Sequence, residues 1–102
     1  MKKVLLLITT ESNKKLAKKN AKLLIKNKLA ACVSIKNSHS VYKWENKIKE
    51  TKELEITIKS KPKLKNDLIA FLQKNSSYNV PQILCKTFDS ELLYFKWFNK
   101  VI

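Results

Sequence analysis

Two long runs of strand-type sequence flank one short turn, and they restrict the fold more than any other feature of the chain. One run covers residues 29–44, with a polar stretch at 36–40 that predicts a β-bulge, and the other covers about 47–59. Glu45 and Asn46 predict the turn between them, since asparagine tolerates a positive φ and the chain has no glycine. Strands of about 13 residues reach roughly 43 Å, about twice the length of a common strand.

The segments on either side of this hairpin complete a recognisable order of elements. Apolar spacing, capping residues and proline positions predict two strands and three helices: a strand at 3–9, a helix over 16–29, a helix over 62–75, a strand at 80–88 and a helix at 91–101. The resulting order is β-α-β-β-α-β-α. It predicts an α+β fold, a ferredoxin-like β-α-β-β-α-β sandwich with a long central hairpin and a short C-terminal helix, as a single domain over residues 1–102.

The predicted helices are too short to cover the predicted hairpin. A helix of about 16 residues spans only ~24 Å, so the far end of the hairpin extends beyond it. That end carries the apolar side chains of Val41, Tyr42, Trp44 and Ile48. An exposed ribbon with such side chains aggregates unless another chain covers it, so we expect an obligate oligomer.

Lysine supplies all of the positive charge, with 22 lysines, no arginine and a formal net charge of +14. A genome rich in A and T gives this composition without selection for function, because the codons for lysine, asparagine and isoleucine are AT-rich. The charge favours solubility and attraction to polyanions, but it does not define a binding site. The lysines are spread along the sequence, which is typical of a solvated surface.

The sequence favours neither a membrane protein nor a secreted one. No run approaches the ~18 apolar residues of a membrane span, and charged residues soon follow the short apolar run near the N-terminus. Two cysteines, Cys32 and Cys85, without a secretion signal favour a reducing compartment. We therefore expect a cytoplasmic protein that does not associate with membranes.

Several functions of ferredoxin-like proteins require residues that the sequence lacks. A copper chaperone would carry Cys-x-x-Cys near the first helix, and an acylphosphatase-like enzyme would need an arginine. There is also no Ser/His/Asp pattern or glycine-rich phosphate loop, so we expect no enzyme. An RNA-recognition module needs aromatic residues on its central strands, and segments 4–8 and 54–58 have none. A basic nucleic-acid-binding module stays open as an alternative because of the charge, although specific nucleic-acid recognition is not expected.

Five segments resemble motifs of the CutA, or divalent-cation-tolerance, family, and they cover nearly the whole chain in order. LAACVSI at 29–35 is similar to LAACVNI, and VYKWENKI at 41–48 is similar to the family hairpin Tyr-x-Trp-x-Gly-Lys. The other three are Glu53 with ITIK at 56–59, YNVPQI at 78–83 and YFKW at 94–97, which resemble E-x-x-L-x-I-K, Tyr-Glu-Val-Pro-Glu-Ile and Tyr-Leu-x-Trp.

This resemblance implies a homotrimer in which the hairpins pack between neighbouring subunits. Members of the family are linked to tolerance of divalent metals and bind copper, they are not established enzymes, and their trimers resemble the PII signalling proteins. The resemblance therefore implies a sensor or scaffold with copper or another divalent ion as its ligand. Chain size, and not the resemblance, indicates that no metal is needed for folding, because 102 residues can bury enough surface without one. Ser76, Ser77, Asn79 and Gln82 depart from the family, which often has His-Pro before the tyrosine and two glutamates after it.

Two residues are candidate metal ligands. Cys32 matches the family cysteine and would suit Cu(I) as a soft ligand, although a free cysteine at a strand start is also common as a small buried apolar residue. His39 lies in a polar stretch and is either a ligand or a solvated side chain. Cys85 alternates with Ile83, which predicts core packing, and neither Cys85 nor His39 has a recognisable ligand spacing with Cys32.

A second candidate site is a cleft between subunits. Glu53 and Lys59 share one face of the third strand, and together with Trp44 and Tyr78 they predict a polar inter-subunit cleft that would suit a small ligand. An ordinary set of interface charges is the alternative. The aromatic residues Tyr42, Trp44 and Trp97 match family positions and are predicted to pack in the trimer. A trimeric small-ligand-binding protein without a metal role is therefore a further alternative.

Overall fold

A computed structural model describes residues 2–102, in which a four-stranded sheet carries helices on both faces. The elements are β1 (Lys2–Glu11), α1 (Lys14–Lys26), β2 (Cys32–Trp44), β3 (Lys47–Ser60), a 3₁₀ turn (Pro62–Leu64), α2 (Lys65–Asn75), β4 (Leu84–Ser90) and α3 (Leu92–Val101). All strand pairs are antiparallel, and the strand order is β2-β3-β1-β4. This confirms the predicted ferredoxin-like plan.

Strand β1 is covered on both faces, as its apolar run predicts. Leu5 and Leu7 point toward α1 and α2, where they pack with Ile58, Leu24 and other buried side chains. On the opposite face the core is smaller, with Val4, Ala31 and Phe98 of α3 at its centre. The sheet is therefore held between a helical layer formed by α1 and α2 and the single helix α3.

Helix α1 begins at a local cap and ends at a left-handed residue. The side chain of Asn13 accepts a hydrogen bond from the backbone N–H of Leu16 at 3.0 Å, which is the expected N-cap geometry. After the helix, Lys28 has a φ of 56°, and the N–H of Leu29 bonds back to the carbonyl of Leu24. This closing turn delays β2 to Cys32, so the prediction that the strand opens at residue 29 is wrong.

No helix in residues 2–102 is long and apolar enough to cross a membrane.

The central hairpin is continuous over its whole length. Cys32 pairs with Lys59, Trp44 pairs with Lys47, and every pair between them keeps the same register, so the bulge predicted at 36–40 is absent from β2. At the turn, Glu45 and the residue after it both have positive φ values, 51° and 64°, as a type I′ turn requires. The hairpin gives the molecule a long axis of 46 Å.

The last strand is displaced toward the C-terminus from its predicted position. It begins at Leu84 instead of residue 80, because 77–80 forms a bend and Pro81 has no N–H to donate to a strand neighbour. Cys85 is exposed at this edge of the sheet, so the prediction that it packs in the core is wrong. The strand lies at the sheet edge, and in residues 2–102 no further strand covers it.

Candidate ligand-binding groove

A groove of about 760 Å³ lies between the far part of the hairpin and the segment that precedes β4. Its walls come from the ends of β2 and β3, from Thr10 at the end of β1, and from the 78–82 segment. The residues that line it are Thr10, Ser40, Val41, Tyr42, Trp44, Lys49, Glu50, Thr51, Glu53, Tyr78, Asn79, Val80 and Gln82. Three of the four predicted cleft residues, Trp44, Glu53 and Tyr78, therefore share one groove.

The alternation of the two strands explains why these side chains converge. Directly paired residues of an antiparallel sheet point to the same face, and so do residues two apart on one strand. Tyr42 pairs with Lys49, and Ser40 pairs with Thr51, which places them on the face that also carries Trp44. The hydroxyl groups of Tyr42 and Thr51 lie 3.0 Å apart in a hydrogen bond that fixes the aromatic ring against β3.

The polar centre of the groove is a hydrogen bond between Tyr78 and Glu53. The hydroxyl of Tyr78 donates to Oε1 of Glu53 over 2.7 Å, and both side chains are half-buried. Burial first, and then the hydrogen bond to the neighbouring carboxylate and its charge, raise the pKa of Tyr78 to about 12. The tyrosine is therefore a neutral donor, and it leaves the second carboxylate oxygen of Glu53 available to another group.

A buried carboxylate that the sequence analysis missed, Glu11, holds the tyrosine segment in place. Glu11 is only 3% exposed, and it accepts hydrogen bonds from the backbone N–H of Asn13 at 2.9 Å and of Ser77 at 3.0 Å. The hydroxyl of Ser77 also donates to it. Since Ser77 directly precedes Tyr78, this contact positions the tyrosine over β3. The sequence gives little sign of this contact. Its only signals are a glutamate two residues after the predicted first strand and the serines at 76–77, far along the chain.

Lys59, the fourth predicted cleft residue, lies outside the groove. It shares the strand face of Glu53, but six residues at ~3.3 Å each place it roughly 20 Å away along β3. There its ammonium group sits 5.9 Å from the centre of the Tyr94 ring of α3. Lys59 therefore belongs to the α3 side of the sheet, and the predicted four-residue cleft is not formed within one protomer.

The two predicted metal ligands are not brought together. Cys32 pairs with Lys59 and His39 pairs with Lys52, and because they are seven residues apart on one strand their side chains point to opposite faces. Their separation along β2 is roughly 23 Å. Within residues 2–102 there is also no group of three or more His, Cys, Asp or Glu side chains that would hold an ion. These donors do not fit a single copper ion within one protomer.

The remaining predicted residues lie in two separate regions. Trp97, predicted to pack in the trimer, is half-exposed on α3 with its ring centre 5.5 Å from that of Tyr94. Of the positions that depart from the family, Asn79 and Gln82 line the groove, whereas Ser77 bonds to Glu11. These three positions therefore lie at or beside the groove, at the opposite end of the hairpin from Cys32.

Comparisons with known proteins identify one family. The family model described as CutA1 divalent ion tolerance protein matches residues 5–101. The divalent-cation tolerance protein CutA of Pyrococcus horikoshii is 30% identical over 95 residues, which are 92% of this chain and 93% of that protein. A chloroplastic CutA protein of Arabidopsis thaliana is 36% identical over 76 residues, which are 74% of this chain and 42% of that protein. The chain spans about half, or less, of the length of the two plant relatives.

Solved structures with this fold carry the same family name. The CutA structure from Synechococcus elongatus superposes with a TM-score of 0.93 and 29% identity, and the alignment covers 99% of this chain and 91% of that one. CutA1 from Pyrococcus horikoshii superposes with a TM-score of 0.90 and 28% identity over 95% of this chain and 96% of that one. The whole fold, including the long hairpin, is thus found in solved CutA structures.

The prediction of a cytoplasmic location is overturned by the same comparisons. The similar proteins of Arabidopsis thaliana and Oryza sativa are named chloroplastic, and a similar structure from Archaeoglobus fulgidus is described as a periplasmic divalent cation tolerance protein. Two free cysteines are compatible with more than one compartment, so counting them does not fix a location.

Proposed function

We propose that this chain, which belongs to the CutA1 divalent ion tolerance protein family, acts as a homotrimeric binding protein, a PII-like sensor or scaffold and not an enzyme. The groove beside the hairpin is its ligand site. The observation that carries the proposal is the convergence of Trp44, Glu53 and Tyr78 in that groove, beside a hairpin tip in which every residue from 41 to 50 is exposed.

Two separate apolar surfaces support assembly into a ring. The hairpin patch is the set of exposed apolar side chains near the tip, with Tyr42 and Trp44 on one face of the ribbon, Val41 and Ile48 on the other, and Val80 beside them. The C-terminal patch consists of exposed side chains of β4 and α3, Leu84, Phe88, Leu93, Trp97 and Val101. Because the two patches differ, they favour head-to-tail contacts, which close into a ring when the rotation permits. Three copies are what the family resemblance implies.

The groove has the composition of a small-molecule site. Its volume of about 760 Å³ falls within the ~300–1,000 Å³ that is common for ligand pockets. Tyr42 and Trp44 supply apolar contact area, and Glu53 and the third aromatic residue, Tyr78, supply an acceptor and a donor that would orient a ligand. A neighbouring subunit at the hairpin would close the open side of this groove.

A metal role requires ligands from more than one subunit. Cys32 is a half-buried thiol on β2, an outer strand of the sheet, where a neighbouring chain has access. A soft Cu(I) ion would use this thiolate together with donors from another subunit. This second candidate is favoured by the position of Cys32 at the sheet edge and by the family description.

Fluorescence of Trp44 gives a direct test of the groove. The chain has two tryptophans, so a Trp97→Phe variant leaves Trp44 as the only reporter. We expect a saturable change in its emission with at least one probe from a set of mononucleotides, amino acids, Cu(I), Cu(II) and Zn²⁺. The change should be lost when Glu53→Gln is added, and kept when Lys59→Met, outside the groove, is added instead.

Two outcomes would contradict the proposal. One is the absence of any saturable response across the probes, and the other is a response that Glu53→Gln leaves unchanged. A response to Cu(I) alone that Cys32→Ser abolishes, with the mass in solution unchanged, would replace the groove by the inter-subunit metal site.

A further inference from the structure

The fold gathers the two most lysine-rich segments of the sequence on one face of the sheet. Segments 14–28 and 61–75 contain eleven of the 22 lysines and a single acidic residue, Asp67. Helices α1 and α2 lie in these segments, and both pack on the same face of the sheet. The remaining seven acidic residues lie in the strands, the hairpin turn and the start of α3. The helical layer therefore carries most of the net positive charge of the molecule.

Helix α1 has the highest density of lysines in this layer. Its thirteen residues include six lysines, all exposed, and no acidic residue. Four of them, Lys15, Lys19, Lys22 and Lys26, follow each other at intervals of four, three and four, which places them in one stripe. At ~1.5 Å per residue the stripe is about 17 Å long.

These lysines are not neutralised by the protein itself. Residues 2–102 form two ion pairs, Lys3 with Asp89 and Lys36 with Glu55, and neither lies in α1. Six ammonium groups on one short helix repel each other, so the free energy of the surface falls when an external anion approaches. A polyanion of regular charge spacing would satisfy several of them at once.

The composition and packing of α1 favour one class of polyanion over the others. A helix that binds a lipid surface inserts its apolar face, but the apolar face of α1, with Ala17 and Leu24, is buried against the sheet. Proteins that bind single strands stack bases on aromatic side chains, and α1 has none. Contacts between ammonium groups and phosphates require neither feature.

We propose that the outer face of α1 binds the phosphate backbone of duplex nucleic acid without regard to base sequence. Duplex DNA carries one charge per ~1.7 Å of its axis, so about 17 Å of duplex holds roughly ten phosphates on its two strands, more than the four lysines of the stripe need. The hairpin patch and the C-terminal patch lie outside α1, so the face stays available in a trimer. This activity is independent of the groove.

Anisotropy of a labelled 20-base-pair duplex DNA tests the proposal with the full-length protein. Four contacts predict a slope of log K against log salt of about −3.6, or a roughly hundredfold weakening between 50 and 200 mM salt. Replacing the stripe, as Lys15→Gln, Lys19→Gln, Lys22→Gln and Lys26→Gln together, should weaken binding at least tenfold at 50 mM salt and lower the slope by about 3 to 4.

The matched control removes the same charge elsewhere: Lys43→Gln, Lys52→Gln, Lys96→Gln and Lys100→Gln. Far-UV circular dichroism and mass in solution should be unchanged in both quadruple variants. If the stripe variant does not fold, the double variant Lys19→Gln and Lys22→Gln should lower the slope by about 2. An equal loss in the control variant, a strong preference for one of two duplex sequences, or binding only to vesicles with 30% phosphatidylserine would each overturn the proposal.

Discussion

The part of the sheet that the helices cover and the far part of its hairpin share the strands β2 and β3, yet their environments are opposite. In the covered part, Leu7 and Ile58 are 0% exposed and pack under α1 and α2. In the far part, every residue from 41 to 50 is exposed, including Trp44 at 51% and Ile48 at 79%. One register runs through both parts without interruption.

The difference between the two parts is a matter of length. Helix α1 has 13 residues and spans about 20 Å, whereas the hairpin extends the molecule to 46 Å. The covered part therefore has a core of its own, and the far part has apolar side chains without a core. In the proposed trimer, neighbouring subunits would cover these side chains.

The largest expected effect comes from a substitution that leaves a cavity in the core of the covered part. Ile58→Ala removes a fully buried side chain from the core, which should lower the free energy of unfolding by about 2–5 kcal/mol. Urea unfolding followed by circular dichroism measures this, and the loss should be the same at low and high protein concentration.

Ile48→Ala is the matched substitution in the far part. In an isolated chain it should change the free energy of unfolding by less than ~0.5 kcal/mol, because the side chain is exposed. If the hairpin packs between subunits, the variant instead becomes more sensitive to dilution than the wild type. A loss that is independent of concentration and as large as that of Ile58→Ala would contradict the division into two parts.

The junction between the parts should show an intermediate effect. Glu11→Gln leaves a buried amide where three donors now meet a carboxylate, so we expect a loss of about 1–3 kcal/mol. The free energy of unfolding measures the loss, and Glu50→Gln, the same change at an exposed position of β3, serves as the control. If the two substitutions have equal effects, Glu11 does not hold the 76–78 turn.

A smaller effect is expected from the groove itself. Tyr78→Phe removes the donor to Glu53 and should lower the free energy of unfolding by about 0.5–1.5 kcal/mol. The loss stays small because water can replace the donor at the half-buried carboxylate. Urea unfolding of this variant beside Tyr42→Phe compares the centre of the groove with its rim. A stabilised Tyr78→Phe variant would show that the hydrogen bond does not contribute.

The raised pKa of Tyr78 predicts that the free energy of unfolding decreases at alkaline pH. Its pKa rises from an ordinary 10.0 to about 12 in the folded chain, so folding favours the neutral phenol. This contribution to stability is complete below pH 10 and is lost as the pH rises toward 12. Absorbance of tyrosinate should show one group that ionises near pH 12 in the wild type and is missing in Tyr78→Phe, and identical titrations would contradict the assignment.

The sequence was sufficient for features that depend on local pattern. The alternation of β3, a capping side chain before the first helix and the positive φ of Asn46 are set by neighbouring residues, and each was predicted. Boundaries were less accurate where a long-range contact decides them. The start of β2, for example, depends on the left-handed Lys28 and on the N–H of Ala31, which bonds to the carbonyl of Lys59.

The site was predictable only where it follows strand periodicity or a family motif. Glu53 and Tyr78 were named from motifs, but the carboxylate of Glu11 was missed because its partner Ser77 is 66 residues away. Within one protomer Lys59 lies outside the groove, since a shared strand face says nothing about distance along the strand, and its place in a cleft between subunits stays a prediction. Cys85 was assigned to the core because alternation gives the face of a residue and not whether another element covers that face.

The most direct test of the central claim is the mass of the wild-type protein in solution, measured by light scattering at micromolar concentration. The account predicts three times the chain mass of 11.9 kDa, and a shift toward the single chain when Trp44→Glu places a charge in the hairpin patch. A stable wild-type monomer of 11.9 kDa would show that the exposed hairpin needs no second chain, and would contradict the account.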